Sequence, residues 1–211
     1  MICPICQKRK ASRFCPAKAE SICSVCCATE REVTIDCPSD CDYLIASRQR
    51  EGGRRVIDWS KIPFADVKIP PEAMAGHWPL ISALVWVIAR FAQDNRPLVD
   101  TDAIASVTAL AETYRTLSSG LYYEKPPDYR LQRELYEALK VGIEDYKKAE
   151  AQEMGATRLG DGTVRDALIF LAQIGSTRQN GRPKGRAYLD FLRAQSKLTA
   201  TESSAPGLVL P

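Results

Sequence analysis

The eight cysteines of this chain are the residues whose type and spacing point most directly to a chemistry. All of them lie before residue 42 of 211, in the pattern C-x2-C-x8-C-x7-C-x2-C-C-x9-C-x3-C. A chain that used cysteine only as a small core residue would scatter it along its length. This bias towards one end of the chain indicates that the cysteines form a local site. They are Cys3, Cys6, Cys15, Cys23, Cys26, Cys27, Cys37 and Cys41.

The cellular compartment decides whether such thiols form disulfides or bind metal. The chain starts without the apolar stretch of a secretory signal. Its longest apolar run, from Leu80 to Ala92, contains Ser82 and Arg90 and is too short to span a bilayer. We therefore expect a cytoplasmic protein with no membrane association, in which thiols stay reduced and clustered cysteines bind metal.

The spacing within the cluster suggests how the ligands are presented. The CPIC segment holds two cysteines on one tight turn, and Cys23 and Cys26 repeat that spacing. Cys37 and Cys41 share one helix face if a helix begins at Pro38. We predict a hairpin over Glu32–Ile35, followed by a helix over Pro38–Arg50 that carries the last ligand pair.

Eight thiolates fit two tetrahedral Zn²⁺ sites of four cysteines each, and such closed sites are structural because no position is left for an activated water. In a cross-braced arrangement the first ion is bound by Cys3, Cys6, Cys23 and Cys26, and the second by Cys15, Cys27, Cys37 and Cys41. The adjacent Cys26 and Cys27 can exchange their sites. The alternatives are one zinc with spare thiols, an iron–sulfur cluster without the ferredoxin spacing, and disulfides or redox thiols.

The CPIC, ICSVCC and CPSDC segments resemble B-box, MYND and related cross-braced or treble-clef zinc fingers over residues 3–41 only. Those families usually place histidine among the late ligands, and this segment has none. They also have a second paired ligand where this chain has Lys18. The resemblance implies a zinc-stabilised interaction module and does not imply ubiquitin ligase activity. The remainder resembles bacterial proteins with a cysteine-rich start and a helical body, which implies no function.

The predicted fold is a small metal-stabilised zinc-finger domain followed by an all-α helical bundle. We place the cysteine-rich domain at residues 1–50, a linker at 51–71, the bundle at 72–197 and a disordered tail at 198–211. Apolar residues recur at helical spacing in five segments of the bundle. The segments run from Glu72 to Asp94, from Thr101 (capped by Asp100) towards Gly120, through Leu131 to Tyr146, from Thr163 to Ser176 and from Arg186 to Lys197.

The charge balance argues against nucleic-acid binding by the cysteine-rich domain itself. The formal net charge of the chain is +3 with neutral thiols, but each Zn²⁺ bound to four thiolates carries two net negative charges. The best candidate for phosphate or nucleic acid is therefore the basic loop before the last helix, where glycines allow backbone N–H groups to face an anion. Its cations are Arg178, Arg182, Lys184 and Arg186; the alternative is a solvated basic loop.

Three functions follow from these patterns. The first is a non-enzymatic, zinc-binding interaction or regulatory protein whose partner is another protein. The second is a nucleic-acid-binding zinc protein that uses the loop at 178–186. The third is an enzyme with a pocket near Glu124, Tyr122 or His77, although the bundle carries no phosphate-binding glycine loop, nucleophile elbow or paired-histidine motif.

Overall fold

The protein is mostly helical, with one small sheet near its start. The computed structural model describes residues 1–52, 56–70 and 74–196. Within these ranges it contains seven α-helices and a two-stranded antiparallel sheet. The tail predicted at 198–211 lies outside the described residues.

The sheet forms where the sequence analysis did not place it. Strands β1 (Arg13–Cys15) and β2 (Glu20–Ile22) pair with Cys15 opposite Glu20. The hairpin predicted over Glu32–Ile35 is wrong, because these residues form a tight turn. The N–H groups of residues 33, 34 and 35 all donate to the carbonyl of Glu30, which leaves no extended strand.

Two helices complete the N-terminal module, which we define as residues 1–52. Helix α1 (Ser24–Glu30) was not predicted, and it follows β2 directly. Helix α2 (Asp42–Gly52) begins later than the predicted Pro38. Cys37 therefore lies outside the helix, so the prediction that Cys37 and Cys41 share one of its faces is wrong.

The remaining helices form one bundle, and all five predicted helices are present. The predicted start at Glu72 and the predicted end at Lys197 lie outside the described residues, and the third helix continues beyond Tyr146 to Met154. The five helices are α3 (Trp78–Asp94), α4 (Asp100–Leu117), α5 (Arg130–Met154), α6 (Asp161–Arg178) and α7 (Ala187–Gln195). Helix α4 packs along α6, while α3 packs against α5 and α7. Their apolar stripes meet in one core whose most buried large side chains include Leu84, Ile88, Leu110, Leu139, Ile143, Leu168 and Tyr188.

Helix α3 is also the one helix in the described part of the chain that is long and apolar enough to cross a membrane. With the short 3-10 turn Ala75–His77 before it, the helical segment Ala75–Asp94 has 20 residues, more than the apolar run considered above. Its apolar face, including Leu84 and Ile88, is buried against neighbouring helices. The core helix of a bundle shows the same length and composition.

The described part of the predicted linker packs against the bundle. Phe64 is buried in the bundle core. The side-chain amide of Gln173 on α6 donates to the carbonyls of Phe64 and Val67, both at 3.0 Å. These contacts bring residues 64–67 onto the surface of α6.

Asp100 caps a different helix from the one predicted. It is the first residue of α4, and its carboxylate accepts the backbone N–H groups of Tyr188 and Leu189 at 3.1 Å, at the start of α7. Burial raises the pKa of Asp100 from 3.8 to about 6, although these N–H groups act in the opposite direction. The carboxylate joins α4 to α7.

The raised pKa of Asp100 predicts a pH-dependent contribution to stability. Because the folded protein binds this proton more tightly than the unfolded chain does, the contribution decreases as the pH rises from 3.8 to about 6. The difference in unfolding free energy between wild type and Asp100→Asn should fall by up to about 3 kcal/mol over that window. Urea titrations at several pH values measure it. A difference that stays constant across this pH window would contradict the assignment.

Candidate metal centre

The first cysteine pair is held by a tight turn at the start of the chain. The N–H of Cys3 donates to the carbonyl of Arg9, and the N–H of Gln7 donates to the carbonyl of Cys3, both at 2.8 Å. Gln7 adopts a left-handed conformation with φ 51°. The backbone N–H groups of Lys8 and Arg9 then hydrogen-bond to the Cys6 thiol and lower its pKa to about 6.

The second pair is positioned by the junction between β2 and α1. Cys23 is the N-cap of α1, and its sulfur accepts the N–H of Cys26 at 3.3 Å. Cys26 lies in the first turn of α1 and is buried. The hairpin and the helix together bring this pair back to the turn that carries Cys3 and Cys6.

These four cysteines form the one group that could hold a metal ion in the described part of the chain. The sulfur atoms of Cys3, Cys6, Cys23 and Cys26 all lie within 4.8 Å of one another. The Cys6 and Cys23 sulfurs are 3.9 Å apart, whereas a tetrahedral zinc with bonds of about 2.3 Å requires sulfur separations of about 3.8 Å. The donor set therefore fits a tetrahedral thiophilic ion after a small contraction.

The electrostatics of the cluster favour a bound cation. Burial raises the pKa of Cys26, and the adjacent thiol of Cys23 raises it further. Four neighbouring thiolates repel one another, so they cannot all ionise without positive charge between them. The guanidinium of Arg9 hydrogen-bonds to Cys6 but supplies a single charge. A divalent ion at the centre would supply the rest.

The other four cysteines are not clustered, so the second predicted quartet is not assembled. Cys15 ends β1, at the end of the hairpin far from Cys23. The sulfur of Cys27 accepts a hydrogen bond of 3.6 Å from Arg31. Cys37 lies in an irregular segment after the turn, and Cys41 immediately precedes α2. No second group of three ligand atoms comes within 4.8 Å among the described residues.

A buried carboxylate, not anticipated from the sequence, connects the module to the bundle. Glu32 is 1% exposed and accepts from Arg48 and Asn180, each at 2.6 Å. Arg48 also donates to Asp190 on α7 at 2.6 Å. We call these four residues the Glu32 hub. Arg48 and Asp190 are 142 residues apart in the chain. No local sequence pattern predicts a contact over that separation.

Two of the four cations proposed for nucleic acid hold this junction in place. Arg182 donates to the carbonyl of Arg31 at 2.7 Å. The ammonium group of Lys184 donates to the carbonyl of Thr34, also at 2.7 Å. Both side chains therefore bind the turn that carries Glu32.

The other two cations are also engaged within the molecule. Arg186 forms an ion pair with Asp36 and donates to the carbonyl of Leu98. The guanidinium of Arg178 lies 4.3 Å from the centre of the Phe191 ring. Arg182, Lys184 and Arg186 thus make polar contacts that an incoming phosphate would have to displace, whereas Arg178 is exposed and stacks on a ring.

Two of the three residues suggested for an enzyme site, Glu124 and Tyr122, belong to a hydrogen-bonded cluster in which Glu124 is paired with Lys140. The carboxylate of Glu124 accepts hydrogen bonds from Tyr122, Tyr136 and Lys140. Lys140 lowers the pKa of Glu124 to about 2, with Tyr122 and Tyr136 adding to the effect. Such a carboxylate is a poor proton acceptor near neutral pH.

Two surface clefts accompany these features, each of about 520 Å³. One lies between α2 and α7, and the other lies between α4 and the loop at 123–128. Glu124, Tyr122 and His77 line neither of them. The clefts therefore do not join the polar groups that the enzyme hypothesis requires.

Comparison of the chain with known protein families, curated proteins and solved structures finds no match. The resemblance to B-box and MYND fingers is thus a likeness of ligand spacing. Function has to be argued from the geometry of the cysteine cluster and its surroundings.

Replacement of Glu32 by Gln should destabilise the junction between module and bundle. It removes the buried charge that faces Arg48, and breaking such a pair costs about 3 kcal/mol. Urea unfolding followed by circular dichroism measures the loss. Glu20→Gln, at an exposed strand position, is the matched control and should change stability by less than about 0.5 kcal/mol. Equal stability of the two variants would show that the Glu32 hub contributes little.

Proposed function

We propose that Cys3, Cys6, Cys23 and Cys26 bind a structural Zn²⁺ ion in a non-enzymatic interaction or regulatory protein of the cytoplasm. The observation that carries this proposal is the convergence of four thiols in two pairs, one held by the N-terminal turn and the other by the start of α1. A tetrahedral site of four thiolates is typical of structural zinc and leaves no position for a reactive water.

The order of elements around the cluster supports a treble-clef arrangement. A turn carries the first ligand pair, the β1–β2 hairpin follows, and α1 begins at the second pair. This order of turn, hairpin and helix is the one expected from the zinc-finger resemblance, but the hairpin and the ligand-bearing helix both lie in earlier segments than those predicted. A second zinc ion, as the count of eight thiols suggests, would need the other four cysteines to converge.

The scarcity of apolar side chains explains why the module would need metal. Its buried cluster consists of four cysteines with Ile22 and Ile35. With Leu44 on α2 the module buries three large aliphatic side chains, too few to offset the conformational entropy lost by some fifty ordered residues. Metal–thiolate bonds would then supply folding free energy, as they do in small zinc domains.

Exposed apolar side chains near the cluster support a protein partner. Ile2, Phe14 and Val25 are between 43% and 66% exposed, and they lie on the turn, β1 and α1 respectively. Solvent-facing apolar groups beside a rigid metal centre are a common basis for protein recognition. The cations of the basic loop are already engaged, so protein binding is preferred over nucleic-acid binding.

The metal proposal predicts that zinc copurifies with the full-length protein when no metal is added. Native mass spectrometry gives the number of ions, and elemental analysis gives their identity. The double variant Cys6→Ser with Cys26→Ser should lose the ion of this site, whereas Val25→Ser, an exposed neighbour on α1, should keep it. Iron in place of zinc, or disulfides among the four cysteines of native protein, would contradict the proposal.

The interaction proposal predicts a protein partner that depends on the exposed side chain of Phe14. Chemical crosslinking in cells followed by mass spectrometry should recover one or more partners with wild type and lose them with Phe14→Asp. Ser21→Ala, which alters the residue paired with Phe14 in the sheet, is the control and should retain them. A set of crosslinks that Phe14→Asp leaves unchanged would contradict this surface, and ultraviolet crosslinking to nucleic acid would favour the alternative.

A further inference from the structure

Helix α3 carries apolar residues on the face that it turns away from the bundle as well as on the face that packs into the core. The outer face presents Trp78 and Trp86, which are 50% and 45% exposed. Only 33% of the most apolar stretch of Ala75–Asp94 is buried. A helix that is apolar all round is normally buried all round. The described part of the chain therefore leaves the outer face of α3 uncovered.

The apolar surface continues from α3 onto two neighbouring helices. Trp78 packs edge-to-face against the half-buried Phe170 of α6, with the ring centres 6.1 Å apart. On α5, Gly142 lies so close to Val87 that an added Cβ would be 2.8 Å from its side chain. The adjacent Val141 is exposed. We define the α3 face as the solvent-facing surface formed by Trp78, Pro79, Ser82, Ala83, Trp86 and Val141.

The α3 face carries no charge along its helix. Residues 75–89 contain no Asp, Glu, Lys or Arg, and the first charged residue, Arg90, is paired with Asp94 one turn further on. Complementary charges usually select a different protein as partner, whereas like charges that meet across an interface are strongly unfavourable. A twofold axis brings identical surfaces together. The uncharged α3 face therefore suits a second copy of itself.

The sizes of the side chains along the α3 face are also self-complementary. The small residues Ser82 and Ala83 lie at its middle. Pro79 and Trp86 lie about one turn to either side of them. Two antiparallel copies that cross at the small pair approach closely there. Trp86 of each copy then lies opposite Pro79 and Trp78 of the other, so rings fill the space where the crossed helices diverge.

We propose that the α3 face binds a second copy of this chain, in a twofold-symmetric dimer whose α3 helices cross antiparallel. Because a tryptophan side chain covers up to about 250 Å², the two half-exposed indoles and the smaller residues offer roughly 450 Å² in each copy. The dimer would bury roughly 900 Å² in total, which is typical of a weak interface. Its dissociation constant is therefore expected in the micromolar range. The contact uses no residue of the metal centre, so its test is separate from that of the zinc proposal.

Sedimentation velocity of the full-length protein at increasing concentration measures this association. Wild type should pass from monomer to dimer. Trp86→Glu should raise the dissociation constant at least about 30-fold, because it places an unpaired charge in the contact and removes a tryptophan from it. The control is Tyr129→Glu, which alters an exposed aromatic side chain just before α5, outside the α3 face, and should dimerise as wild type does.

A second variant separates loss of the contact from loss of the fold. Ser82→Arg keeps both tryptophans and places a long cation at the closest approach of the two helices, so it should remain monomeric. Its thermal unfolding, followed by circular dichroism, should match that of monomeric wild type because Ser82 is exposed. Wild type that stays monomeric at every concentration would overturn the proposal, as would dimers that both variants retain.

The antiparallel geometry and a membrane as the alternative occupant have their own readouts. Photoreactive benzoylphenylalanine in place of Trp86 should crosslink two copies, and mass spectrometry should locate the product near Pro79 of the second copy. A crosslink elsewhere on that copy would overturn the arrangement. Wild type should not float with vesicles of phosphatidylcholine and phosphatidylglycerol. Flotation of monomeric protein that Trp86→Glu abolishes would assign the α3 face to a membrane and overturn the dimer.

Discussion

The N-terminal module depends on how its crowded cysteine thiols are accommodated. They lie in a segment that buries very few aliphatic side chains. Four thiols converge within 4.8 Å, while the only large aliphatic side chains buried with them are Ile22 and Ile35. Without a cation, ionised thiols at this distance repel, and neutral thiols contribute little cohesion. A tetrahedral ion would satisfy both requirements, because it neutralises charge and replaces the missing apolar contacts.

A second polar interaction joins the N-terminal module to the helical bundle. The buried Glu32 carboxylate joins the turn of the module to α2 and the basic loop, and Arg48 extends the contact to α7. A buried carboxylate requires such partners, since leaving it unpaired would be strongly unfavourable. The module and the bundle are therefore held together by a buried network of hydrogen bonds and ion pairs.

The parts predicted from sequence are those set by local pattern. The five bundle helices follow from apolar residues at helical spacing, and the convergence of Cys3, Cys6, Cys23 and Cys26 follows from two Cys-x2-Cys turns. The hairpin was assigned to Val33 and Ile35 because their alternation resembles a strand. Instead, the sheet uses β1 and β2, whose three residues each are too short to show a pattern.

The parts that escaped prediction depend on contacts between distant segments. The basic loop looked like an anion site because its acidic and carbonyl partners, such as Asp36, lie about 150 residues away. The sequence indicated that Asp100 caps its own helix, but its carboxylate oxygens accept backbone N–H groups at the start of α7. Sequence spacing likewise gave no sign of the Glu32 hub. For the basic loop and Asp100 the sequence indicated a polar, interacting side chain, and only the fold supplied its partner.

The most direct test of the zinc centre is a crystal structure with anomalous data collected on both sides of the zinc absorption edge. The account predicts an anomalous peak present only above that edge, about 2.3 Å from the sulfurs of Cys3, Cys6, Cys23 and Cys26. Disulfide bonds among these four residues, or no anomalous peak between them in protein that was never exposed to chelator, would contradict it.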